Sequence, residues 1–299
     1  MSSSARRQPE AVDLPRNQLP PLRCRRFSLD LTARTQIMGV LNVTPDSFSD
    51  GGLYLDPGRA VDHAHRMVAE GADLIDVGGE STRPGAESVS AEEELRRILP
   101  LLRPFVDKLP VPISVDTYKA DVAAAALAEG VDLINDISGI GLDPRMASVV
   151  AEAGAGLVLT HIRGTPQTMQ ADPKYTDLLG EIREYLRERI ILAEAHGVHP
   201  EAIVVDPGIG FGKRAEHNLL LLQRLPELEI LGKPILIGPS RKSFIGKVLD
   251  LPVEERLEGT AATVAVAIWQ GAHILRVHDV QAMVRVARMT DAIRRKSGS

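Results

Sequence analysis

The stretch VVDPGIGFGK, which runs from Val204 to Lys213, guides our interpretation of the whole chain. β-branched residues lead up to Asp206, which is typical of a buried strand that ends on a carboxylate. Gly208 follows a proline, and two more glycines come at alternate positions after it. Such glycines permit positive φ angles and a close approach of backbone to ligand. The stretch therefore predicts an acid at a strand end, facing a loop shaped for a ligand.

Two simpler interpretations of this stretch compete with a ligand loop. The first is an ordinary turn, in which Asp206 accepts hydrogen bonds from its own backbone. The second is a phosphate loop, but such a loop needs Ser or Thr after its lysine, and here Arg214 follows Lys213. The glycine spacing also differs from that of dinucleotide-binding loops. We favour the ligand loop because similar strand ends recur along the chain.

Short apolar strands alternate with helices from residue 36 onward, which predicts an α/β fold. We predict strands at residues 36–41, 73–77, 111–116, 131–136, 157–161, 234–238 and 273–278, with one more ending at Asp206. The helices that follow them are predicted at residues 59–70, 91–106, 119–129, 144–153, 178–196, 253–269 and 280–293, with one more that includes 219–225. Strands this apolar are buried on both faces, as in parallel sheets covered by helices. Eight strand–helix units with nothing left over favour a single-domain TIM (β/α)8 barrel. An open doubly wound sheet is disfavoured, because no dinucleotide fingerprint follows the first strand.

Composition excludes several classes of function. A length of 299 residues with 44% hydrophobic content suits one barrel of about 250 residues, although two domains would also fit. The net charge of −5 provides no cationic field for nucleic acid or membrane, and an aromatic content of 3% is poor for base stacking. No apolar run is long enough to span a membrane, and the single Cys24 suits a reducing cytoplasm.

The N-terminal residues differ in composition from the rest. Residues 1–26 are polar and rich in Ser, Pro and Arg, and they lack the apolar segment of a signal peptide. We predict that they form a disordered extension, and that residues 27–299 form the barrel domain.

Polar side chains end every predicted strand. In a barrel these ends gather at one mouth, where active sites lie. A single Asp or Asn there could merely cap the next helix, but eight unrelated caps are improbable. The residues concerned are Asn42, Asp76, Asp116, Asn135, His161, Asp206, Ser240, and Arg276 with His278.

These residues fall into two chemical sets. Asp116, Asn135 and Asp206 form an acceptor-rich set that suits a heterocycle with adjacent N–H donors and a carbonyl, such as a 2-amino-4-oxopyrimidine. The second set is cationic and suits phosphate or carboxylate groups. It consists of Arg83, Lys242, Arg276 and His278, with the hydroxyls of Ser81, Thr82 and Ser240. Asn42 and Asp46 offer oxygen ligands that could hold Mg²⁺ against a diphosphate.

Eight blocks of sequence, taken in order, resemble the dihydropteroate synthases, a family of folate-pathway enzymes. They are MGVLNVTPDSFSDGG from Met38, GADLIDVGGESTRPGA from Gly71, ISVDTYKADVA from Ile113, LINDISG from Leu133, THIRGTPQTMQ from Thr160, VVDPGIGFGK from Val204, SRKSFIG from Ser240 and RVHDV from Arg276. The resemblance covers roughly residue 36 to the C-terminus. One departure is that many members carry Met on both sides of the fifth-strand His, where this chain has Thr160 and Ile162.

The resemblance implies a pterin-binding TIM barrel that joins 6-hydroxymethyl-7,8-dihydropterin pyrophosphate to p-aminobenzoate and releases pyrophosphate and 7,8-dihydropteroate. The implied pterin pocket consists of Asp116, Asn135, Asp206, Phe211, Lys242 and Arg276, of which Asp116, Asp206, Lys242 and Arg276 would also be the catalytic residues. Pyrophosphate would be held by Asn42, Thr82, Arg276 and His278, with Mg²⁺ at Asn42 and Asp46. p-Aminobenzoate would meet Phe48, Thr82, Arg83, Pro84, Ser240 and Lys242.

Several broader expectations come with the family. The loops of residues 44–52 and 81–85 would close over the site. Sulfonamides, which mimic p-aminobenzoate, would bind at the same place. A homodimer through outer helices late in the chain is also expected.

Two other functions remain possible on the sequence. One is a pterin-dependent methyltransferase of the same barrel superfamily, which would not need the cationic set or the TPDSF loop. The other is a paralogue that keeps the pocket only for binding or regulation, although the strand-end residues are all present.

Overall fold

The alternation of strand and helix produces a parallel barrel covered by helices. The computed structural model describes residues 19–43, 57–81 and 85–296. Its strands are β1 Leu22–Cys24, β2 Phe27–Leu29, β3 Gln36–Asn42, β4 Leu74–Gly78, β5 Ile113–Asp116, β6 Leu133–Asp136, β7 Gly156–Thr160, β8 Ile203–Asp206, β9 Leu236–Ile237 and β10 Ile274–Val277. Its helices are α1 Pro57–Glu70, α2 Ala91–Lys108, α3 Ala120–Ala128, α4 Met146–Ala153, α5 Leu178–Ala195, α6 Ala215–Gln223, α7 Ser243–Leu249, α8 Leu257–Trp269 and α9 Val280–Lys296.

The large sheet contains β3 to β10, all pairing in parallel, in the order β8-β7-β6-β5-β4-β3-β10-β9. Its two edges meet where Val205 of β8 bridges to Ile235, just before β9. The Val205 amide donates to the Pro234 carbonyl at 2.9 Å, which closes the ring of strands. The predicted TIM barrel is therefore confirmed over the open doubly wound sheet.

The barrel interior has an apolar layer below a polar one. The apolar layer consists of Met38, Leu74, Leu133, Val158, Val204, Leu236 and Ile274, all buried together. Strand side chains alternate between faces, so the residue two positions later along each strand faces the same way. Four of those later residues are Asp76, Asn135, Asp206 and Arg276. The period of the strands therefore gathers these polar groups at the carboxyl end of the barrel.

The outward side chains of the strands form a second core with the helices. In α5, for example, Leu179, Ile182, Leu186 and Ile190 are buried on one face, as their spacing predicts. Asp177 caps this helix by accepting a hydrogen bond from the Gly180 amide at 3.2 Å. Each such buried aliphatic side chain stabilises the fold by about 1.5–3 kcal/mol relative to exposure.

The predicted N-terminal boundary at residue 26 is wrong. Residues 22–29 form an antiparallel hairpin of β1 and β2, whose Leu22 and Cys24 are fully buried against the apolar layer inside the barrel. Arg26 forms a bidentate ion pair with the buried Asp132, with both N–O distances at 2.8 Å. The polar composition of this segment concealed two alternating apolar residues and a charge that is paired. Residues 1–18 of the predicted extension lie outside the described residues.

The prediction that no element is left over is also wrong. Besides the hairpin, the short helix α7 lies between β9 and α8. The helix predicted from residue 253 begins instead with a single 3-10 turn at Val253–Glu255, and α8 starts at Leu257. In the described part of the chain, every helix is too short or too polar to cross a membrane.

Candidate functional site

A network of charged side chains lies inside the mouth of the barrel. Arg276 of β10 donates from Nε to Asp76 of β4 at 2.6 Å and from Nη2 to Asp116 of β5 at 2.7 Å. Asn135 of β6 donates to the same Asp76 oxygen at 3.1 Å. Burial alone would lower the pKa of Arg276, but Asp76 and Asp116 together raise it, so the guanidinium remains charged. The Arg276 guanidinium thus joins β10, near the end of the chain, to β4 and β5 in its first half.

Asp116 still has an oxygen to offer. Its Oδ2 accepts from Arg276, whereas its buried Oδ1 has no hydrogen-bond partner among the described residues. Burial, opposed by Arg276 and assisted by Asp76 and Glu94, raises the pKa of Asp116 to about 7. A buried acceptor without a donor is costly, so a ligand N–H at this position would be bound favourably.

Asp206 ends β8 at the start of the glycine-rich loop, which comprises residues 207–212. Its Oδ1 accepts from the Gly208 amide at 2.7 Å, so the turn-like contact considered for this residue does form. Gly208 has a φ of +74°, and a Cβ there would lie 1.9 Å from the His161 carbonyl oxygen. Burial raises the pKa of Asp206, against the lowering influence of Lys242. The loop therefore passes so close to β7 that glycine is required.

Lys242 and Phe211 form one wall of the mouth. The Lys242 ammonium lies 4.4 Å from the centre of the Phe211 ring, within the range of a cation–π contact. It also donates to the carbonyl of Ile209 in the glycine-rich loop. Burial lowers the pKa of Lys242 to about 8, although Asp206 opposes this. Lys242 is therefore largely charged at neutral pH but loses its charge at mildly basic pH.

Ser240 and His278 lie beside this wall. The Ser240 hydroxyl accepts from the His278 amide at 3.2 Å and lies 3.0 Å from its Nδ1. Ser240 is buried and His278 is exposed. Arg241 donates to both Asp279 oxygens, at 2.8 and 2.5 Å, and this ion pair holds the loops after β9 and β10 together.

Asn42 is the only predicted Mg²⁺ ligand within the described residues. It ends β3 and is partly exposed, and a Cβ at Gly78 would lie 3.3 Å from its Oδ1. Within residues 19–43, 57–81 and 85–296, no cluster of three His, Cys, Asp or Glu side chains could hold a metal ion. An amide oxygen suits Mg²⁺, which commonly takes its other ligands from water and substrate phosphates. The site thus fits Mg²⁺ if the substrate supplies most of the ligands.

Five predicted site residues cannot be placed. Asp46, Phe48, Thr82, Arg83 and Pro84 lie outside the described residues. The predicted closing loops, residues 44–52 and 81–85, fall there too, apart from Ser81 and Gly85. Every other predicted site residue lies at or just after the carboxyl end of a barrel strand.

Two features of the site were missed. Asp76 ends a predicted strand but is absent from the predicted site, although it is the central acceptor for Arg276 and Asn135. Lys213 ends the glycine motif and is likewise absent from the predicted site, yet it is buried and contacts His161. In the sequence, Arg276 lies within an apolar strand. A charge buried there needs a counter-charge, and this requirement points to an interior carboxylate such as Asp76.

The two residues that depart from the common family pattern are both buried. Thr160 pairs with Asp206 across β7 and β8, and its hydroxyl has no hydrogen-bond partner among the described residues. Ile162 follows His161 and is also buried. Neither residue introduces a charge into the mouth.

A parallel barrel with this mouth is characteristic of the pterin-binding enzymes. A family model described as "Pterin binding enzyme" matches residues 38–278. The dihydropteroate synthase of Synechocystis sp. is 51% identical over 275 residues, which cover 92% of this chain and 95% of that protein. The crystal structure of Yersinia pestis dihydropteroate synthase with a sulfonamide drug has a TM-score of 0.88 and 43% identity, covering 92% of this chain and 99% of that one. A Clostridium difficile dihydropteroate synthase crystallised in the presence of pteroic acid has a TM-score of 0.82 and 49% identity, covering 87% and 97% of the two chains. The chain belongs to the dihydropteroate synthase family.

Proposed function

We propose that this protein catalyses the dihydropteroate synthase reaction, a group transfer. It joins 6-hydroxymethyl-7,8-dihydropterin pyrophosphate to p-aminobenzoate and releases pyrophosphate and 7,8-dihydropteroate. Family membership supports this function. The observation that carries it is the buried Oδ1 of Asp116, which has no hydrogen-bond partner among the described residues and belongs to a carboxylate close to two cations, Arg276 and Lys242.

The pterin would bind against the interior carboxylates. Its 2-amino-4-oxo ring presents adjacent N–H donors, which Asp206 or the free Oδ1 of Asp116 can accept. Asn135 can both donate and accept, so it can meet a mixed edge of the ring. Phe211 and Arg276 offer flat surfaces for stacking. Asn135, Asp206 and the Asp116–Arg276 pair are held by other protein groups before a ligand arrives, which reduces the entropy lost on binding.

The chemistry then needs no protein nucleophile. The bond between the exocyclic methylene carbon and the pyrophosphate oxygen breaks, and its electron pair leaves with pyrophosphate. The methylene cation is stabilised by the electron-rich ring and by the nearby Asp116 and Asp206 carboxylates. The amine of p-aminobenzoate donates its lone pair to that carbon, and its extra proton is lost to solvent or pyrophosphate.

Cationic groups would stabilise the departing pyrophosphate. Arg276 and His278 lie at the end of β10, and Asn42 ends the neighbouring strand β3. Mg²⁺, held by Asn42 and Asp46 together with the substrate, would neutralise further negative charge on the leaving group. Thr82 is predicted to add a hydroxyl contact.

p-Aminobenzoate would lie at the outer side of the mouth. Ser240 and Lys242 are suited to its carboxylate, and Phe48, Thr82, Arg83 and Pro84 are predicted to complete its site. A sulfonamide carries an aniline like that of p-aminobenzoate, so we expect sulfonamides to compete with it. The sulfonamide complex of the Yersinia pestis relative supports this expectation.

We further propose that the chain forms a homodimer in the cytoplasm. Large apolar side chains are exposed on three helices that pack side by side, α7, α8 and α9. They include Val248, Val266, Trp269, Met289 and Ile293. Light scattering after size-exclusion chromatography tests the dimer, and Trp269→Lys should then shift the mass towards that of one chain.

The decisive experiment measures pyrophosphate release and dihydropteroate together. The purified protein is mixed with Mg²⁺ and the dihydropterin pyrophosphate, with and without p-aminobenzoate. Both products should appear in equal amounts and only with p-aminobenzoate. Lys242→Met should abolish most of the activity, whereas the matched control Lys247→Met, on the surface of α7, should retain it.

Two outcomes would contradict the proposal. Pterin binding without turnover, under conditions where a known synthase works, would indicate a binding module. Methyl transfer to a corrinoid protein would indicate the methyltransferase alternative.

A further inference from the structure

Lys213 directly follows the glycine-rich loop and is almost completely buried. Its Nζ lies 2.9 Å from Nδ1 of His161, the residue after β7, and donates to the Phe211 carbonyl at 3.0 Å. Lys213 is 2% exposed and His161 is 4% exposed. A lysine this deeply buried, with its amine directed at two protein acceptors, is poorly placed to contact substrate.

The imidazole of His161 is itself held in a fixed orientation. It packs edge-on against Tyr185, with ring centres 4.9 Å apart, and the Tyr185 hydroxyl donates to the Ser138 carbonyl at 2.6 Å. Burial, reinforced by Lys213, lowers the pKa of His161 well below its usual value. The neutral ring can therefore accept from Lys213 at Nδ1 and keep its proton on Nε2.

Lys213 is one of four side chains that fix successive carbonyls of the glycine-rich loop. Lys242 donates to the carbonyl of Ile209, and Gln170 donates to that of Gly210 at 2.8 Å. Lys213 holds the carbonyl of Phe211, and Tyr175 donates to that of Gly212 at 2.8 Å. Gln170 and Tyr175 are on the segment that follows β7, whereas Lys213 directly follows the loop and is the one of the four that also contacts His161.

The position of Lys213 affects two groups of the mouth. Phe211, whose carbonyl it holds, carries the ring that lies under the Lys242 ammonium. A Cβ at Gly208 would lie 3.3 Å from the Lys213 Nζ, and the Gly208 amide donates to Asp206. Displacement of the Lys213 amine would thus loosen both the wall and the carboxylate that the loop supports.

We propose that Lys213 is a positioning residue for the pterin. By bridging His161 and the Phe211 carbonyl, it holds the Phe211 ring and the Asp206 carboxylate where a pterin can lie between them. This inference rests on the proposed function, because it concerns the pterin side of that site. It assigns Lys213 no contact with either substrate.

The test compares Lys213→Met with Lys233→Met. Lys233 is a matched control, because it also donates to one side chain and one carbonyl, Glu194 at 2.8 Å and Pro200 at 2.9 Å, but before β9 at the opposite end of the barrel. Binding of 6-hydroxymethylpterin is measured by isothermal titration calorimetry, and the KM for p-aminobenzoate is measured by turnover. For Lys213→Met we expect the pterin Kd to rise about tenfold, as the loss of one or two buried hydrogen bonds implies. The KM for p-aminobenzoate should change less than the pterin Kd, since Lys213 hydrogen-bonds to neither Ser240 nor Lys242, the described residues that we assign to that ligand.

The possible results separate this inference from the proposed function. If the unaltered protein binds no pterin, the proposed function fails. If it binds pterin and Lys213→Met binds equally well, or if Lys233→Met loses as much affinity, the positioning role is wrong.

A second variant covers the case in which Lys213→Met does not fold. His161→Phe keeps the packing against Tyr185 but removes the acceptor, so it should weaken pterin binding about threefold, the effect of one modest hydrogen bond. Unchanged pterin affinity in His161→Phe would then contradict the proposal.

Discussion

The guanidinium of Arg276 donates to the carboxylate of Asp76 at 2.6 Å, although 200 positions separate the two residues in the chain. Asp76 is fully buried, and it also accepts from Asn135. One carboxylate inside the barrel therefore sets the position of both a cation and an amide that we assign to the pterin. Asp76 lies deeper in the barrel than Asp116 and Asn135, because its strand register places it level with Leu133. It would therefore influence pterin binding through Arg276 and Asn135.

Replacement of Asp76 by Asn should weaken both stability and activity. The change leaves Arg276 with Asp116 as its remaining carboxylate, and breaking a buried ion pair costs about 3 kcal/mol. We expect kcat/KM to fall about a hundredfold, because small displacements of groups in an active site have effects of this size. Urea unfolding and steady-state kinetics measure the two effects.

The control for this variant is Asp121→Asn. Asp121 also pairs with an arginine, Arg145, at 2.8 Å, but its side chain is 65% exposed. Exposed ion pairs contribute little, so stability and activity should both be retained. Equal behaviour of the two variants would show that the interior pair has no special role.

The pH dependence of kcat/KM for the pterin substrate should be bell-shaped, with its maximum between about 7 and about 8. Asp116, whose pKa burial raises to about 7, is a stronger acceptor for ligand N–H groups when it is ionised than when it is protonated, so binding weakens as the pH falls below that value. Lys242, whose pKa burial lowers to about 8, loses its charge as the pH rises above that value. kcat/KM is the appropriate quantity because it reports ionisations of the free enzyme.

Two controls identify the groups responsible for the limbs of this profile. Titrations with 6-hydroxymethylpterin, which carries no phosphate, remove any contribution from ionisation of the diphosphate. Lys242→Arg keeps a positive charge at basic pH, so the basic limb should move upward by more than one unit. A basic limb that stays near 8 in Lys242→Arg would assign it to another group.

Loss of the Arg26 side chain should destabilise the protein without affecting catalysis. Asp132, fully buried, accepts both hydrogen bonds from Arg26 and a third from the Ile113 amide at 3.0 Å. Arg26→Ala leaves this carboxylate without its counter-charge, which should cost about 2 kcal/mol given that Arg26 is partly exposed. Thermal unfolding measures the loss, and kcat at 25 °C should be unchanged because Arg26 pairs below the apolar layer.

Arg23→Ala is the matched control on the same hairpin. Arg23 is exposed and has no ion-pair partner among the described residues. Its removal should leave the unfolding temperature nearly unchanged. If Arg26→Ala also leaves the unfolding temperature unchanged, the hairpin is not part of the cooperative folding unit.

Much of the barrel could be predicted from periodicity, whereas the N-terminal hairpin and helix α7 could not. Runs such as the strand ending at Asp206 are apolar along their whole length, and that property marks a strand buried on both faces. Helix α7 was missed because it is short and contains Gly246, which is a poor helix former. In the structure a Cβ at Gly246 would lie 2.4 Å from the Arg256 guanidinium, so a tertiary contact accounts for the glycine.

The location of the strand-end residues at one mouth could be predicted from the sequence, whereas the ion pairs and hydrogen bonds between them could not. Strand ends identify residues that share a mouth, because parallel strands bring their carboxyl ends together. They do not indicate which acid pairs with which base, and so the roles of Asp76 and Lys213 do not follow from the sequence. Those pairings depend on the depth of each side chain in the barrel, which is set by the strand register.

The close approach of the glycine-rich loop to β7 gives a sharp test of the whole arrangement. Gly208→Ala would place a Cβ 1.9 Å from the His161 carbonyl oxygen, at a φ of +74°. Gly232→Ala is the matched control, because Gly232 has a φ of +64° with nothing within 4 Å of its added Cβ. Both variants bear the cost of a left-handed alanine, about 1 kcal/mol, but only the first must also move the loop.

We therefore expect Gly232→Ala to lose about 1 kcal/mol of stability and to keep full affinity for 6-hydroxymethylpterin. Gly208→Ala should lose several times as much stability, because its clash is with backbone and not with a flexible side chain. It should also bind the pterin at least tenfold more weakly, since the Gly208 amide orients Asp206. Calorimetric titration and urea unfolding of the two variants, side by side, measure both quantities. Equal losses in the two variants would mean that the loop can withdraw from β7 without disturbing the site, and the pterin pocket would then not depend on this contact.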